Sequence, residues 1–185
     1  ISACLVGSEM CIRDSSITVE PRGYKKSQAP YELVSTMRAS ICVLGPILAK
    51  QRFARVSFPG GCVIGPRPID LHLKGIASLG AKIKVERGYI VANGKDLRGG
   101  NVYLGGHFGS SVLATANTMM AATLANGTTV IENAACEPEV IDLTRFLIKM
   151  GAKIEGEATH RIIIEGVKRL GGAEHSVIPD RIEAG

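Results

Sequence analysis

The sequence has no tryptophan, and aromatic residues make up only 4% of its 185 residues. Aliphatic side chains must therefore form the core, and the hydrophobic content of 45% is ample for one. The chain also lacks an apolar run of the roughly 18 residues that a membrane-spanning helix needs. Long runs of Lys or Arg with interleaved aromatic residues are absent too, which argues against a nucleic-acid-binding protein. The net charge of +5 instead favours a small anionic substrate, such as a phosphorylated molecule.

Paired cysteine motifs are missing as well. The five cysteines include no Cys-x-x-Cys spacing, so the sequence indicates neither a zinc site nor a disulfide framework. We therefore expect no metal site, and a reducing cytoplasm is the simplest location for the protein.

A glycine-rich segment carries the strongest chemical signal, since residues 59–72 read PGGCVIGPRPIDLH. Cys62 follows two glycines, Arg67 comes five residues later, and Pro68 suits the first position of a helix. A thiol near Arg⁺ and a helix N-terminus can act as an acid, a base or a nucleophile. The free N–H groups of such a helix start favour an anion. On this local pattern alone, an inert buried cysteine is as compatible as a reactive one.

The chain contains an internal repeat. The tetrapeptide Gly-Ala-Lys-Ile occurs at residues 80–83 and again at 151–154, so the period is about 71 residues. Apolar spacing predicts units of the form strand–helix–strand–helix–strand–strand, which is an α/β pattern. The predicted helices cover residues 36–50, 69–79, 111–124 and 143–150. The predicted strands cover residues 54–58, 82–85, 89–91, 102–104, 128–131, 153–155, 161–164 and 176–178.

The second repeat has a cysteine at the position that corresponds to Cys62 in the first. Residues 132–139 correspond to the Cys62 segment, but Cys136 has Glu137 and Glu139 as neighbours. Negative charges nearby raise the pKa of a thiol, so we interpret Cys136 as structural. Cys42 falls inside a predicted helix and is interpreted as a core residue.

Residues 59–72 resemble the active-site loop of the enolpyruvyl transferase family, in particular the members that act on UDP-N-acetylglucosamine. Residues 29–41, 121–129, 131–135 and 178–183 resemble the same family, and the likeness runs from about Ser16 to Gly185. It implies an inside-out barrel with two domains, each built from three βαβαββ units around a pseudo-threefold axis. Residues 16–185 would form roughly two and a half units of the cysteine-loop domain. Residues 1–15 resemble translated adapter sequence, and we predict that they are non-native.

The resemblance also implies an activity. These family members transfer the enolpyruvyl group of phosphoenolpyruvate to the 3-hydroxyl of UDP-N-acetylglucosamine and release phosphate, the first committed step of peptidoglycan precursor synthesis. We therefore expect a cytoplasmic bacterial transferase that contributes to cell wall biogenesis, cell shape and division, with no cofactor. Its partners would be these two small molecules and the second domain of the same chain. Because lysine, aspartate and arginine site residues of the family are missing here, we predict that these 185 residues alone lack turnover.

The resemblance assigns roles residue by residue. Cys62 matches the general acid and the target of the epoxide fosfomycin. The matching substrate-binding positions are Arg38, Arg67, Pro68, Ile69, Asp70, Leu71, Ser110, Ser111 and Val112. Asp70 suits the helix dipole equally well, and the serines suit a helix cap. The loop at residues 105–112 is longer than the family's and lacks its lysine. A histidine at position 72 could serve as a switch or a proton shuttle, but we predict that His72 is a solvated helix histidine.

Three other functions stay open at this point. An enzyme of the 3-phosphoshikimate branch shares the repeat fold but lacks this cysteine loop. A non-catalytic module could bind nucleotide sugars with the same residues. An RNA-binding protein with this repeat fold would show a steep salt dependence of its affinity.

Overall fold

The structure, a computed structural model, describes residues 8–13, 16–21, 26–60, 68–107 and 109–185. Within these ranges the strands are β1 (Ser8–Arg13), β2 (Ser16–Pro21), β3 (Gln28–Ala29), β4 (Phe53–Ser57), β5 (Lys82–Glu86), β6 (Tyr89–Asn93), β7 (Asn101–Tyr103), β8 (Thr128–Glu132), β9 (Lys153–Glu155) and β10 (Arg161–Glu165). The helices are α1 (Tyr31–Val34), a 3₁₀ helix (Arg38–Val43), α2 (Leu44–Gln51), α3 (Asp70–Ser78), α4 (Val112–Ala122), α5 (Pro138–Lys149) and α6 (Arg181–Ala184).

Two four-stranded sheets with the same topology confirm the predicted repeat. The first has the strand order β3-β4-β6-β5 and the second the order β7-β8-β10-β9. In each sheet the first pair of strands is parallel and the other two pairs are antiparallel. β1 and β2 form a separate antiparallel pair. The predicted mixed α/β architecture of repeated units is thus confirmed.

Each sheet buries one face against helices, as the alternation along its strands predicts. In the first sheet Ala54, Val56 and Ile90 are fully buried, and in the second Ile131 and Ile162 are. The core is aliphatic throughout, because its largest fully buried side chains are isoleucine, leucine and methionine. None of the described helices has the length and apolar character that crossing a membrane demands.

The inner helices approach one another closely through glycine. A Cβ at Gly45 in α2 would lie 2.5 Å from the side-chain oxygen of Asn117 in α4. A Cβ at Gly75 in α3 would collide with the hydroxyl of Thr118, also in α4. Because glycine has no side chain, α2 and α3 can both pack directly against α4. The 3₁₀ helix, α2 and α3 therefore all contact α4.

The structure corrects three element predictions. The helix predicted over residues 143–150 begins five residues earlier, at Pro138, because proline suits the first turn of a helix. The helix predicted over residues 36–50 is a 3₁₀ helix followed by α2, because Pro46 has no N–H with which to extend α-helical bonding toward residue 42. The strand predicted at residues 176–178 is wrong, since residues 171–180 have no regular secondary structure. β7 forms by pairing with β8, and among the described residues no strand offers residues 176–178 such a partner.

Candidate functional site

The segment that contains Cys62 and Arg67 lies outside the described residues, but its two flanks are defined. Before it, the backbone N–H of Gly60 donates to the Val34 carbonyl oxygen at 3.4 Å. A side chain at Gly60 would collide with the carbonyl oxygen of Ser35. Glycine is therefore needed where this connection leaves β4 and passes the end of α1.

After the segment, α3 begins with the residues that were predicted to bind substrate. Ile69 is 9% exposed and anchors the helix start in the core, whereas Pro68 and Asp70 are exposed and Leu71 is half-buried. Among the residues that the structure describes, no side chain caps this end of the helix. The first-turn N–H groups are therefore available for an anion, and Asp70 lies in the same turn as a competing negative charge.

The glycine-rich connection before α4 packs against this helix start. Gly106 and Gly109 exchange two backbone hydrogen bonds of 3.0 and 3.1 Å, which close a tight turn. A Cβ at Gly106 would lie 3.1 Å from the Leu71 side chain, so the turn contacts α3. Ser111 Oγ accepts a hydrogen bond from the Ala114 N–H at 3.3 Å. Ser111 is thus the helix cap that the sequence left open as an alternative to substrate binding.

Arg38 approaches the same place from the 3₁₀ helix. Burial, and after it the charge of Arg38, lowers the pKa of His72, whereas Asp70 acts on the same imidazole in the opposite direction. The thiol of Cys42 donates to the Leu113 carbonyl oxygen at 3.7 Å and ties the 3₁₀ helix to the start of α4. Burial raises the pKa of Cys42 to about 11, which fits a structural thiol.

The 3₁₀ helix that begins at Arg38, the first turn of α3 and the start of α4 therefore meet at one end of the inner helices. Half-buried Ser110 and Val112 belong to this group through the α4 connection. The described residues contain no cluster of three or more metal-ligating side chains. The arrangement offers one guanidinium and one uncapped helix N-terminus, which together suit an anionic oxygen.

The prediction that His72 is solvated is wrong. The side chain is 5% exposed, and its Nδ1 lies 3.1 Å from the Asn117 amide nitrogen. Burial, followed by the charge of Arg38, lowers the pKa of His72 to about 4. A signal for this was present, because His72 falls between Ile69 and Ile76 on the apolar stripe of the helix at positions i, i+3 and i+7.

In the second repeat the corresponding cysteine, Cys136, contacts a histidine side chain of the same chain. Cys136 Sγ lies 3.3 Å from His160 Nδ1, and that nitrogen donates to the Ala134 carbonyl oxygen at 2.9 Å. Burial and then the charge of Glu137 raise the pKa of the Cys136 thiol, so the predicted direction is confirmed. Glu139 was predicted to raise this pKa too, but it is not among the causes of the shift. Its carboxylate instead accepts a hydrogen bond from Arg181 Nε at 2.9 Å.

This fold is that of the enolpyruvyl transferases. The crystal structure of the enolpyruvyl transferase NikO from Streptomyces tendae matches with a TM-score of 0.79 at 18% identity, over 96% of this chain and 42% of that one. EPSP synthase from Acinetobacter baumannii matches with a TM-score of 0.66 at 20% identity, over 90% and 38%. The family described as EPSP synthase (3-phosphoshikimate 1-carboxyvinyltransferase) matches residues 7–185, and the chain belongs to this family.

Curated relatives share much higher sequence identity. Three proteins named UDP-N-acetylglucosamine 1-carboxyvinyltransferase are 61% identical over 159 residues (Methylacidiphilum infernorum), 52% over 181 (Akkermansia muciniphila) and 63% over 161 (Caldanaerobacter subterraneus subsp. tengcongensis). The matches cover 86%, 97% and 87% of this chain. The chain spans 38–42% of the length of these relatives. The resemblance seen in the sequence is thereby confirmed.

Proposed function

We propose that this chain forms the cysteine-loop part of a UDP-N-acetylglucosamine 1-carboxyvinyltransferase. Such an enzyme moves the enolpyruvyl group of phosphoenolpyruvate to the 3-hydroxyl of the nucleotide sugar and releases phosphate. The observation that carries the proposal is the identity of 52–63% to relatives of that name. Identity to the EPSP synthase structure is 20%, which supports the fold alone and leaves the 3-phosphoshikimate reaction as the second candidate.

The described part of the site supports this function because both substrates are anions. The Arg38 guanidinium and the uncapped N–H groups of α3 can each hold a phosphate oxygen. Asp70, Leu71 and Pro68 at the start of α3, with Ser110 and Val112 opposite, would contact the nucleotide. Ile69 would hold this turn in register from the core, and Ser111 would cap α4 beside it.

Two residues outside the described ranges complete the proposed mechanism. Cys62 would deliver a proton to the methylene carbon of phosphoenolpyruvate while the sugar oxygen bonds to the adjacent carbon, giving a tetrahedral intermediate. Loss of phosphate and of the methyl proton then restores the enol ether. Arg67 would hold the phosphate as it leaves. The base for the sugar hydroxyl would come from the second domain of the longer protein, so we expect no turnover by this chain alone.

The biological setting follows from the same proposal. The product would enter peptidoglycan precursor synthesis, and the enzyme would thus contribute to cell wall biogenesis, cell shape and division in the bacterial cytoplasm. Fosfomycin, an epoxide, would alkylate the Cys62 thiol. The protein would use no cofactor and bind neither nucleic acid nor a membrane.

The test uses a completed enzyme, in which the part of this chain that matches the Methylacidiphilum infernorum relative over 159 residues replaces its counterpart there. It should consume phosphoenolpyruvate with UDP-N-acetylglucosamine and not with 3-phosphoshikimate. Mass spectrometry after fosfomycin treatment should show one adduct, on Cys62, and none on Cys42 or Cys136. Turnover of 3-phosphoshikimate would favour the second candidate, and binding of the nucleotide sugar without turnover would favour a non-catalytic module.

A further inference from the structure

A single buried amide joins the three inner elements of the site. Asn117 is 0% exposed in the middle of α4. Its Oδ1 accepts a hydrogen bond from the Gly45 N–H at 2.6 Å, and its Nδ2 donates to the Ile41 carbonyl oxygen at 3.2 Å. The third contact runs from Nδ2 to Nδ1 of His72 in α3, at 3.1 Å. Asn117 thus touches α2, the 3₁₀ helix and α3 at once.

The two backbone partners determine which end of the amide is which. The Gly45 N–H can only donate, and the Ile41 carbonyl can only accept. Rotating the amide by 180° would set donor against donor and acceptor against acceptor. Nδ2 therefore faces His72 and offers it a hydrogen. His72 Nδ1 must accept this bond, so the ring is neutral and carries its proton on Nε2.

The surroundings of His72 keep this form at neutral pH. Burial and the nearby Arg38 lower the imidazole pKa to about 4, although Asp70 acts in the opposite direction. Arg38 begins the 3₁₀ helix that Asn117 holds through Ile41, and Asp70 lies two residues before His72. The amide is therefore linked to the elements that carry both charged candidates of the site.

We propose that Asn117 is a positioning residue of the substrate site, which holds His72 as the neutral Nε2–H tautomer and joins the Arg38 helix to the first turn of α3. The proposal rests on the proposed function only for the identity of the substrate. Nε2–H lies on the side of the ring away from Asn117, and none of the described residues accepts its hydrogen. A phosphate oxygen held by Arg38 is a suitable acceptor, and the fixed tautomer supplies a donor without adding a charge.

The second repeat has a different residue at the position that corresponds to His72. Its sequence Ile-Asp-Leu-Thr at residues 141–144 corresponds to Ile-Asp-Leu-His at residues 69–72. Thr144 is also buried. Its hydroxyl donates to the Val140 carbonyl oxygen of its own helix at 2.8 Å and lies 3.4 Å from Met119 Sδ in α4, where the first unit has an amide partner instead. A threonine is thus sufficient to pack this place in the fold, and the histidine with its amide partner is particular to the unit with the cysteine loop.

The first test reads the tautomer by NMR of the completed enzyme with ¹⁵N-labelled histidine. His72 Nδ1 should show the shift of an unprotonated nitrogen and stay unchanged from pH 5.5 to 8. His160 is an internal control of the opposite kind, because its Nδ1–H donates to a carbonyl oxygen. In Asn117→Asp the carboxylate cannot donate, so His72 Nδ1 should become protonated. A protonated His72 Nδ1 in the unsubstituted enzyme would overturn the proposal.

The second test separates positioning from packing by kinetics. His72→Gln places an amide N–H near the position of Nε2, whereas His72→Asn reaches only the position of Nδ1. A lost hydrogen bond to an anion predicts that KM for UDP-N-acetylglucosamine rises ~10-fold in His72→Asn and Asn117→Asp, with kcat within ~3-fold. His72→Gln should stay within ~3-fold, as should the exposed control Asn101→Asp.

Equal effects of the two His72 variants on KM would contradict the proposal, and so would a loss confined to thermal stability. Should Asn117→Asp fail to fold, the His72 pair decides the question. Should the unsubstituted completed enzyme fail to turn over, the proposed function fails, whereas the NMR result still decides the tautomer.

Discussion

The two repeats share one topology but differ in the connection between their central strand and the following helix. Residues 58–69 join β4 to α3, whereas residues 133–137 suffice to join β8 to α5. Polar groups of the short connection have partners within the protein, because His160 contacts both the Ala134 carbonyl oxygen and the Cys136 thiol. The long one carries the Gly-Gly-Cys motif, and among the described residues no side chain caps either of the two helices that follow these connections. In the proposed function, the chemical site would therefore belong to one copy of a duplicated scaffold.

The aspartates at the two helices sharpen this difference. Asp142 in α5 accepts a hydrogen bond from His175 Nε2 at 2.9 Å, and both side chains are largely buried. The corresponding Asp70 in α3 is exposed. The segment after β10 therefore covers α5 in the second unit, while the first turn of α3 stays open to a ligand. Predictions that exchange features between the units test this interpretation.

The largest expected effect separates the two cysteines. Cys62→Ser in the completed enzyme should lower kcat by ~10²–10⁴-fold, which is the usual contribution of a general acid. Cys136→Ser should leave kcat within ~2-fold, because the Cys136 thiol is bound to His160 and its pKa is raised. Steady-state rates at saturating substrate check both. Similar losses in the two variants would show that the units are not functionally distinct.

The next effect is the pH dependence of stability that His72 introduces. Its pKa is lowered from 6.5 to about 4 on folding, so the unfolded chain binds more protons between these values. The contribution of the neutral, buried His72 to the free energy of unfolding is therefore fully present above pH 6.5, and this free energy should fall by ~3 kcal/mol toward pH 4. His72→Gln should remove this part of the dependence. Urea unfolding of both proteins from pH 7 to 4 checks it, and identical pH profiles would refute it.

A smaller effect concerns the residue at the start of each connection. Gly60→Ala gives the first unit the residue that the second has at Ala134, and the new methyl group would meet the Ser35 carbonyl oxygen. Overpacking of this kind costs ~1–3 kcal/mol. The reverse change, Ala134→Gly, removes one methyl and should cost ~1 kcal/mol. Thermal unfolding compares the pair, and a harmless Gly60→Ala would show that this backbone contact is not needed.

The smallest effect lies on the surface of the second unit. Arg145 Nε donates to Glu157 at 2.6 Å, with side chains 63% and 33% exposed. Exposed ion pairs contribute ~0–1 kcal/mol, so Arg145→Gln should change the free energy of unfolding by under ~0.5 kcal/mol and leave kcat unchanged. A loss above ~1 kcal/mol in urea unfolding would mean that this surface matters more than its exposure indicates.

The predictability of the fold and of the site differs for a physical reason. Helix and strand positions follow from apolar spacing within a few residues, and the repeat is visible as the recurring Gly-Ala-Lys-Ile, so both units were predictable. Pro46 lies inside the predicted 36–50 helix and marks the place where the 3₁₀ helix gives way to α2, a boundary that apolar spacing does not show. The Ser176–Ile178 strand failed because a strand needs a partner, which local pattern cannot supply.

The sequence by itself determined the α/β repeat, the aliphatic core and the glycine-rich segment with Cys62 and Arg67. Each of these features follows from the pattern of residues that are close together in the sequence. Tertiary structure alone decided that the 3₁₀ helix of Arg38 and the first turn of α3 are joined through α4, and that His72 is buried with a lowered pKa. The bond between His72 and Asn117 joins residues 45 positions apart, and that between Cys42 and Leu113 spans 71. Such contacts form only when the helices pack closely. Gly45 and Gly75 permit this packing, but their partners in α4 are distant in the sequence and are known only from the folded structure.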